Sequence, residues 1–408
     1  MKILFIHHAF PGQFRHIAPK LAALGHEVKA LTEIKPRFPT ANVDIIRYHR
    51  ERQRTKGIHQ WLSGTEEKYI RAEVVLNECQ RLSQHDFIPD VVYVHPDWGE
   101  ALFIRDIFPH TKIIIFAEHY YQKENSDAIF DPEFADITLF NHCGAKMNNA
   151  IRLLSLEDCD AAICPTEFQK NCHPRAYHSK MNIIHDGIPT HKLVKNPNIK
   201  IKFRGEITLT KQNDVITFAN RGLEPRRGFH QFMRCIPLLQ QQNPQAHIII
   251  MGKDVTVYGN YKKLSAGSFK QHMVQELGDS IDYNKVHFVD WLDYASFNSV
   301  IELSTVHVYL TAPFILSWSM LEVMSVEGCI VGSNTTPVTE VIEDGYNGVL
   351  VDFFSPEAIA SKVTELLNDK NKRQMIGKNA RQTMIDNYDL NTVCLPQQVE
   401  IIQNIKAD

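Results

Sequence analysis

A group of arginines and glycines near the middle of the chain has the chemistry to hold a phosphate. It lies in NRGLEPRRGFHQF (220–232), directly after an apolar run and before a helical pattern. The planar guanidinium of arginine can donate two parallel hydrogen bonds to a phosphate, and glycine permits a turn. The residues are Arg221, Gly222, Arg226, Arg227 and Gly228. Solvated surface arginines are the alternative, but the position after a strand favours a phosphate site.

A second strand-to-helix turn carries one glycine, Gly12, in FPGQF (10–14). Such a glycine lets the backbone approach a phosphate at the N-terminus of a helix. A tight turn also requires glycine, so this signal is weak on its own. The sequence contains neither G-x-G-x-x-G nor G-x-x-x-x-G-K-[ST], so a dinucleotide fingerprint and a P-loop are both absent.

Short apolar runs alternate with helical patterns along the chain, which is typical of parallel sheets covered by helices. In the first half, strands are predicted at 2–8, 28–33, 91–95, 112–118, 161–165 and 182–187. In the second half, they are predicted at 215–220, 247–252, 286–291, 306–311, 329–334 and 348–353. Helices are predicted between them, for example at 228–242, 294–304 and 356–368. Residues 189–214 lose this rhythm and are predicted to link two domains.

Four stretches, in this order, resemble the motifs of the retaining glycosyltransferases of family 4. FPGQFRH (10–16) resembles the N-terminal glycine loop of that family, and HDGI (185–188) its Asn-Gly-Val/Ile segment. Arg221, followed by Arg227 before Gly228, resembles the Arg…Lys-Gly phosphate clamp, with Arg in place of Lys. LEVMSVEGCIVGS (321–333) resembles the Leu-Glu-Ala-Met…Val-Val-Ala-Ser signature and is the most specific of the four.

The resemblance implies an α/β protein with the GT-B fold, in which two doubly wound Rossmann-like domains face a central cleft. It places an acceptor domain at 1–200, a nucleotide-sugar donor domain at 201–390, and a C-terminal helix at 391–408 that packs back on the first domain. The implied substrate is a nucleotide-diphosphate sugar, with no further cofactor and no metal. The letters Asp158-Cys159-Asp160 fit a metal-binding Asp-x-Asp pattern, but they lie where a helix runs into a strand, so we interpret them as structural.

Matching positions imply roles for individual residues. Arg221 and Arg227 would hold the leaving diphosphate, Gly12 would approach it, and Glu322 would bind the ribose hydroxyls of the donor. Backbone amides around Ser317, Trp318 and Ser319 would face the diphosphate or the sugar, and His119 would lie near the transferred sugar. A strand-end histidine that makes structural hydrogen bonds is the alternative for His119. Carboxylates near strand ends suggest weaker acceptor contacts at Asp97, Glu100 and Glu118.

The sequence departs from the family pattern at Phe314, eight residues before Glu322, where a first glutamate is usual. That glutamate contacts hydroxyls of the donor sugar, so its loss leaves the identity of the sugar open. Contact by loop backbone, Ser317 or Ser319 is one expectation, and a sugar lacking that contact is the other. Glu327 stands where glycine is common, and it lies about 140° around the helix from Glu322.

The expected activity is transfer of a sugar to an acceptor hydroxyl with retention of configuration, in polysaccharide or glycoconjugate synthesis at the cell surface. A nucleotide-sugar 2-epimerase is the main alternative, because it would share the two-domain fold. A nucleotide-sugar-binding protein without catalysis is the third, motivated by Phe314. The acceptor is a carbohydrate, a lipid-linked molecule or another hydroxyl compound.

The overall composition indicates which partners and which cellular location to expect. The 408 residues include 44 Lys and Arg and 47 Asp and Glu, a formal net charge of −3, which gives no reason to expect nucleic-acid binding. Eight scattered cysteines indicate reduced thiols. No apolar run approaches the roughly 20 residues of a membrane span, so a cytoplasmic protein is expected. The basic run RYHRERQRTK (47–56) is usually a solvated face, but it leaves open peripheral contact with the inner face of a membrane.

Overall fold

The computed structural model describes residues 1–36, 40–124, 126–136, 138–203, 207–257, 261 and 264–405. The end of the predicted C-terminal helix, 406–408, lies outside the described residues. Among the described residues, none of the helices combines the length and the apolar composition that a membrane span needs. All eight cysteines are free, and seven of them are buried.

A seven-stranded parallel sheet forms the first half, in the order β3-β2-β1-β4-β5-β6-β7. Its strands are β1 (Lys2–Ile6), β2 (Glu27–Thr32), β3 (Asp44–Arg47), β4 (Val91–Val94), β5 (Lys112–Phe116), β6 (Ala161–Cys164) and β7 (Met181–Ile183). A two-stranded antiparallel ribbon follows, made of β8 (Lys200–Phe203) and β9 (Ile207–Thr210).

A six-stranded parallel sheet forms the second half, in the order β12-β11-β10-β13-β14-β15. Its strands are β10 (Val215–Gly222), β11 (His247–Lys253), β12 (Val286–Val289), β13 (Val306–Tyr309), β14 (Ile330–Ser333) and β15 (Val349–Val351). The order reverses between β10 and β13, and ligands of doubly wound sheets bind beyond the carboxyl ends at such a point.

Fifteen α-helices of the described chain cover the sheets and connect their strands. They are α1 (Ile17–Ala23), α2 (Gln60–Gln84), α3 (Ile104–Ile107), α4 (Asp127–Phe130), α5 (Leu139–Met147), α6 (Asn149–Asp158), α7 (Glu167–Cys172), α8 (Phe229–Gln242), α9 (Phe269–Leu277), α10 (Tyr294–Leu303), α11 (Trp318–Ser325), α12 (Thr336–Thr339), α13 (Pro356–Asn368), α14 (Lys370–Tyr388) and α15 (Leu395–Asn404).

The two faces of the second sheet bury separate cores because successive strand residues point to opposite sides. Ile248 and Ile250 of β11 pack with α8 on one face. Ile249 and Met251 pack with α11 on the other face. The continuous apolar runs of the sequence are therefore strands covered on both sides, as the parallel arrangement requires.

The chain divides into two compact units that interleave along the sequence. The first unit comprises Met1–Lys123, Thr138–Gly187 and Asn391–Asp408, and the second comprises Glu124–Ile137 and Ile188–Leu390. In the first unit α15 packs on α1. The larger segment of the second unit begins at Ile188, whereas the sequence placed the domain boundary at residue 200.

The segment 124–137 belongs to the second unit although it lies between strands of the first sheet. Phe134 is only 4% exposed and joins the same core cluster as the helix α8. The ring of Phe130 lies 4.9 Å from that of Phe353, and Ala135 pairs with Tyr261 through a β-bridge. Burial of these apolar side chains assigns the segment to the second unit, and the sequence did not predict it.

All twelve predicted strands are present, but β3, β8 and β9 were not predicted. Strand β3 is short, lies at the edge of its sheet and buries none of its four residues fully. Its sequence therefore lacks the continuous apolar run that marks the inner strands. The ribbon of β8 and β9 falls in the predicted interdomain link, where Lys and Thr interrupt the apolar residues.

Helix α11 ends in a left-handed residue that is not glycine. The amide of Gly328 bonds to the carbonyl of Val323, and that of Glu327 to Met324, which is a Schellman cap. Glu327 has φ of +59° at the position where glycine is favoured. Its carboxylate pairs with Lys195 at 2.8 Å, a contact that partly offsets the backbone strain.

Replacing Glu327 with glycine is expected to raise the free energy of unfolding by about 0.5–1 kcal/mol. Relief of the left-handed strain contributes about 1–2 kcal/mol, and loss of the partly exposed ion pair costs less than about 1 kcal/mol. Urea unfolding measures the difference. Glu327→Ala, which keeps the strain and loses the ion pair, is the control and should not stabilise. A destabilised Glu327→Gly protein would contradict this explanation.

Candidate functional site

Arg227 carries a buried positive charge at the start of α8, beyond the carboxyl end of β10. Its side chain Nη1 donates to Thr311 Oγ1 at 2.8 Å and to Tyr309 Oη at 3.4 Å. The residue is 9% exposed, and it forms no ion pair with a carboxylate among the described residues. A buried cation with only neutral partners is unfavourable, so this position favours an incoming anion.

The hydroxyl of Tyr309 connects Arg227 to the N-terminus of α11. Besides accepting from Arg227, it accepts the backbone amide of Ser317 at 2.9 Å. Ser317 caps the helix, and its Oγ accepts from Ser319 Oγ at 2.9 Å and from the Ser319 amide at 3.4 Å. The cation and a helix N-terminus are therefore fixed to the same strand end, where both favour negative charge.

Arg226 differs from its neighbour because it has a carboxylate partner. Its Nη2 lies 2.6 Å from Asp127 Oδ2, and the two side chains are 6% and 1% exposed. Asp127 belongs to α4 in the segment 124–137, far from Arg226 in sequence. The pair is consequently a buried, neutralised ion pair, and it anchors the turn that presents Arg227.

The ring of Phe314 lies beneath both guanidinium groups. Its centroid is 4.3 Å from Cζ of Arg226 and 5.4 Å from Cζ of Arg227. Attraction between a cation and an aromatic face acts over these distances. Phe314 is 5% exposed, so it packs against the arginines without adding a negative charge beside Arg227.

The backbone conformation of the turn between β10 and α8 explains how Arg226 and Arg227 both come to lie beside Phe314. Pro225–Arg227 forms a 3₁₀ turn, and Gly228 follows with φ of +68°. A Cβ on Gly228 would lie 2.4 Å from Cβ of Leu310, so only glycine allows α8 to approach β13 this closely. The apolar residues Phe229 and Phe232 then bury the first turns of α8 in the core.

Glu322 lies in α11 and is 4% exposed. Its Oε1 accepts from the hydroxyl of Tyr294 at 2.8 Å, which fixes the carboxylate at the start of α10. Trp318 is the first residue of α11, directly after the cap. Arg221 is exposed and is the next-to-last residue of β10, whereas Arg226 and Arg227 are buried.

The first unit has a second cluster of polar groups at the carboxyl ends of β1, β4 and β5. His7 Nε2 bonds to Gln13 Oε1 at 2.9 Å, and Gln13 Nε2 donates to Glu118 Oε1 at 2.8 Å. Glu118 Oε2 lies 3.5 Å from Nε2 of the buried His95. Gly12 has φ of +46°, and a Cβ there would lie 2.5 Å from the ring of His7. The glycine loop therefore packs directly on this network.

The two histidines of this network have opposite pKa shifts. Burial lowers the pKa of His7 well below 6.5, and the neighbouring His95 lowers it further. Burial also acts to lower the pKa of His95, but the carboxylate of Glu118 outweighs it and raises the pKa. Burial thus favours the neutral form of His7, whereas Glu118 favours the charged form of His95.

The remaining predicted residues of the first unit have different environments. His119 is 7% exposed, and its ring meets that of Tyr121 edge-on at 4.8 Å. Asp97 is held by Arg152 at 2.8 Å; burial acts to raise its pKa, but the charge of Arg152 lowers it to about 2. Glu100 is 1% exposed, and this depth favours a structural role over acceptor contact.

Two sets of residues include side chains that could bind a metal ion: the cluster of Asp131, Glu133 and His230, and the Asp158-Cys159-Asp160 pattern. Ligand atoms of Asp131, Glu133 and His230 lie within 4.8 Å of one another. Both oxygens of Glu133 already accept from Nη1 and Nη2 of Arg234 at 2.8 and 2.6 Å, so this group is built as an ion-pair network. Asp160 accepts from Arg105 at 2.6 Å and from the Ile113 amide at 2.8 Å, in keeping with a structural role.

Comparisons with known proteins assign a family model to each half of the chain. Residues 24–193 match the glycosyl transferase family 4 group, and residues 200–383 match the glycosyl transferases group 1. The chain has the GT-B glycosyltransferase fold. This outcome confirms the fold expected from the four motifs.

Solved structures of this GT-B fold superimpose over the whole chain. Sucrose-phosphate synthase from Thermosynechococcus elongatus has a TM-score of 0.75 at 15% identity, with 100% of each chain covered. Anabaena HepE in complex with UDP and glucose has a TM-score of 0.67 at 16% identity, covering 99% of this chain and 100% of that one.

An uncharacterized glycosyltransferase of Methanocaldococcus jannaschii is 29% identical over 107 residues, which is 26% of this chain and 27% of that protein. The chain spans less than half the length of the curated relatives it matches.

Several residues that surround Arg226 and Arg227 carried no role in the sequence prediction. Tyr309 and Thr311 are polar residues at the end of a predicted strand, a position that would have been a usable signal. Arg226 was noted beside Arg227, but the residue type alone does not show which of the two arginines has a carboxylate partner. Asp127 had no sequence signal, because only the docking of 124–137 into the second unit brings it to Arg226.

Breaking the ion pair between Asp127 and Arg226 is expected to destabilise the protein by about 3–5 kcal/mol. Asp127→Leu leaves a buried guanidinium without its carboxylate, whereas Asp127→Leu with Arg226→Met removes both charges and should recover most of the loss. Urea unfolding of the wild type, both single variants and the double variant gives the coupling energy. Additive losses would contradict the pairing.

Burial raises the pKa of Glu100 from 4.5 to about 7, although Arg71 and a hydrogen bond from Tyr48 oppose the shift. The folded state then binds more protons than the unfolded state between these values, so stability falls as pH rises. One group contributes at most about 1.4 kcal/mol per pH unit.

Glu100→Gln is expected to remove this decline between about pH 4.5 and pH 7. Unfolding free energies measured across that window test it, with the exposed Glu73→Gln as the control. An unchanged pH slope in Glu100→Gln would show that Glu100 is not the group responsible.

Proposed function

We propose that this chain is a retaining glycosyltransferase that uses a nucleotide-diphosphate sugar. The observation that supports it best is the buried guanidinium of Arg227, which has hydroxyl partners but no carboxylate among the described residues. A diphosphate would supply the missing negative charge. The neighbouring N-terminus of α11 would add backbone donors to the same group.

The second domain is proposed to hold the donor. Arg221, exposed at the end of β10, and Arg227 would bind the diphosphate, and Glu322 would accept from the ribose hydroxyls while Tyr294 orients it. Amides and hydroxyls of Ser317, Trp318 and Ser319 would contact the diphosphate or the sugar. HepE of Anabaena binds UDP and UDP-glucose, which makes UDP-sugars the first donors to test here.

The proposed chemistry is cleavage of the anomeric C–O bond as negative charge grows on the departing diphosphate. Arginines fixed before the reaction stabilise that charge without further reorganisation. In this proposal the guanidinium groups take the role that a divalent cation has in metal-dependent transferases. The acceptor hydroxyl would attack the face from which the diphosphate leaves, and a phosphate oxygen would take its proton.

The first domain is proposed to hold the acceptor. Its polar network at the ends of β1, β4 and β5 offers Glu118 and the loop of Gly12, with His119 close by in sequence on the same strand end. Asp97 is a weaker acceptor contact because Arg152 already engages it. A polysaccharide or glycoconjugate hydroxyl of the cell surface is the proposed acceptor.

Removing either phosphate-binding arginine is expected to reduce turnover by two orders of magnitude or more. Loss of one fixed donor to a developing charge costs about 3–4 kcal/mol of transition-state stabilisation. Arg221→Ala and Arg227→Ala would be compared with Arg234→Gln, whose guanidinium binds Glu133 and Glu276 instead. The measurement is release of the nucleoside diphosphate from a donor found by screening UDP-, GDP-, ADP- and dTDP-sugars.

The product analysis separates the proposed activity from its alternatives. NMR of the glycoside should show the anomeric configuration of the donor. Conversion of the donor to its 2-epimer without an acceptor would identify an epimerase instead. Tight donor binding with neither hydrolysis nor transfer to any acceptor would indicate a binding protein, and near-wild-type turnover by both arginine variants would refute the assignment.

A further inference from the structure

A surface of the first unit combines exposed apolar side chains with exposed cations. Its apolar part is α5, which buries none of its nine residues in the core. Leu139 is 79% exposed, Phe140 is 40% and Met147 is 38%. A helix of a soluble domain normally buries one apolar stripe, so this helix presents its apolar residues to something outside the domain.

The start of α2 joins α5 to the rest of this surface. The ring of Trp61 lies 4.7 Å from the ring of Phe140, and Gly144 allows α5 to approach the indole closely. Leu62, the next residue, is 42% exposed. The apolar side chains of two helices therefore lie side by side on one surface.

The basic part of the surface is the segment 47–58, which leads directly into α2. Arg52 and Arg54 have side chains that are 66% and 55% exposed, and Lys56 is also exposed. Thr55 bonds to Glu66 through its amide at 2.8 Å and its hydroxyl at 2.6 Å, which fixes the segment against the first turns of α2. The cations and the apolar side chains thus both lie next to the N-terminus of α2.

Acidic residues face this segment, but they lie deeper. The carboxylates of Glu33 and Glu67 bind Arg50, and their side chains are 17% and 32% exposed. Glu66, 15% exposed, lies 3.6 Å from Arg52. Between the segment and α2 is a pocket of about 660 Å³, bordered by Arg50, Arg52, Arg54, Lys56 and Ser63. The outermost layer is consequently positive, except for the exposed Glu51.

We propose that this membrane-docking surface, formed by residues 47–62 and α5, binds an anionic lipid bilayer. Leu139, Phe140 and Leu62 would enter the interfacial layer, while Arg52, Arg54 and Lys56 would contact lipid phosphates. Interfacial attachment combines these two contributions, apolar insertion and attraction to anionic headgroups. The proposal does not depend on the reaction that the protein catalyses.

A bilayer fits this surface better than other partners for two reasons. The apolar residues protrude from a short helix, and the pocket beside the segment 47–58 is lined by charged and polar side chains, so the apolar residues suit insertion into a deformable layer. Long, partly exposed cations border them on the side of segment 47–58, matching the negative surface potential of an anionic leaflet.

Vesicle co-sedimentation of the full chain tests the proposal. The wild type should bind vesicles of phosphatidylcholine with 30% phosphatidylglycerol and bind vesicles of phosphatidylcholine alone much more weakly. Arg52→Gln with Arg54→Gln should weaken binding roughly 25-fold, since one cation contributes about fivefold. Leu139→Ser with Phe140→Ser should weaken it more than tenfold. Salt at 0.5 M should abolish the preference for anionic vesicles.

Matched controls are available in the same unit. Ile88→Ser removes an apolar side chain that is 59% exposed at the amino end of β4, the opposite end of the sheet from the segment after β3. Arg81→Gln removes a cation that is 69% exposed near the far end of α2. Both should bind vesicles like the wild type, and thermal unfolding confirms that each variant is folded.

Three results would overturn the proposal. One is absence of vesicle binding, or binding that the surface variants leave unchanged. Another is displacement from vesicles by millimolar inorganic phosphate, which would indicate a small-anion site in the pocket. The third is a wild-type dimer that becomes monomeric in Leu139→Ser with Phe140→Ser, which would show that a second copy of the chain covers this surface.

Discussion

Two adjacent guanidinium groups, those of Arg226 and Arg227, are buried beside one aromatic ring, and only the first has a carboxylate partner among the described residues. Taking a charge out of water costs several kcal/mol unless another charge compensates it. Asp127 compensates Arg226 within the fold. Arg227 has only hydroxyl partners among the described side chains, and this difference is the reason that Arg227, rather than Arg226, is proposed to hold a phosphate.

The parallel sheet explains why this charge can be placed so accurately. Strands β10 and β13 lie side by side where the order of the sheet reverses, so the turns after them meet. One turn carries the arginines and the other leads to the cap of α11. The hydroxyl of Tyr309 contacts both, so its contacts fix the distance between the cation and the helix N-terminus. Gly228 allows the close approach of α8 that this arrangement needs.

Much of this architecture could be predicted from local sequence. Inner strands of a parallel sheet are covered on both faces, so continuous apolar runs such as HIIIMG identify them in the sequence. The edge strand β3 could not be found in this way because two of its four residues, Asp44 and Arg47, are charged. The arginine turn and Gly12 were singled out because they follow predicted strands, and Glu322 because it matches the family motif; their roles in binding stay predictions.

Other parts of the site depend on contacts between distant residues. No local pattern distinguishes Arg226 from Arg227, because the difference arises from Asp127, 99 residues before Arg226 in the sequence. The sequence likewise could not show that Phe314, which stands where the family has a glutamate, contacts both arginines. An acid at that position would lie against both guanidinium groups, whereas the phenyl ring covers them and leaves Arg227 without a negative neighbour.

The most direct test is to measure nucleotide affinity and stability together for Arg227→Met, by calorimetric titration with UDP and inorganic pyrophosphate and by urea unfolding. If Arg227 is an uncompensated buried cation kept for a diphosphate, the variant should bind at least tenfold more weakly and be as stable as the wild type or more so. Unchanged affinity, or a loss of stability as large as that from breaking a buried ion pair, would contradict the account.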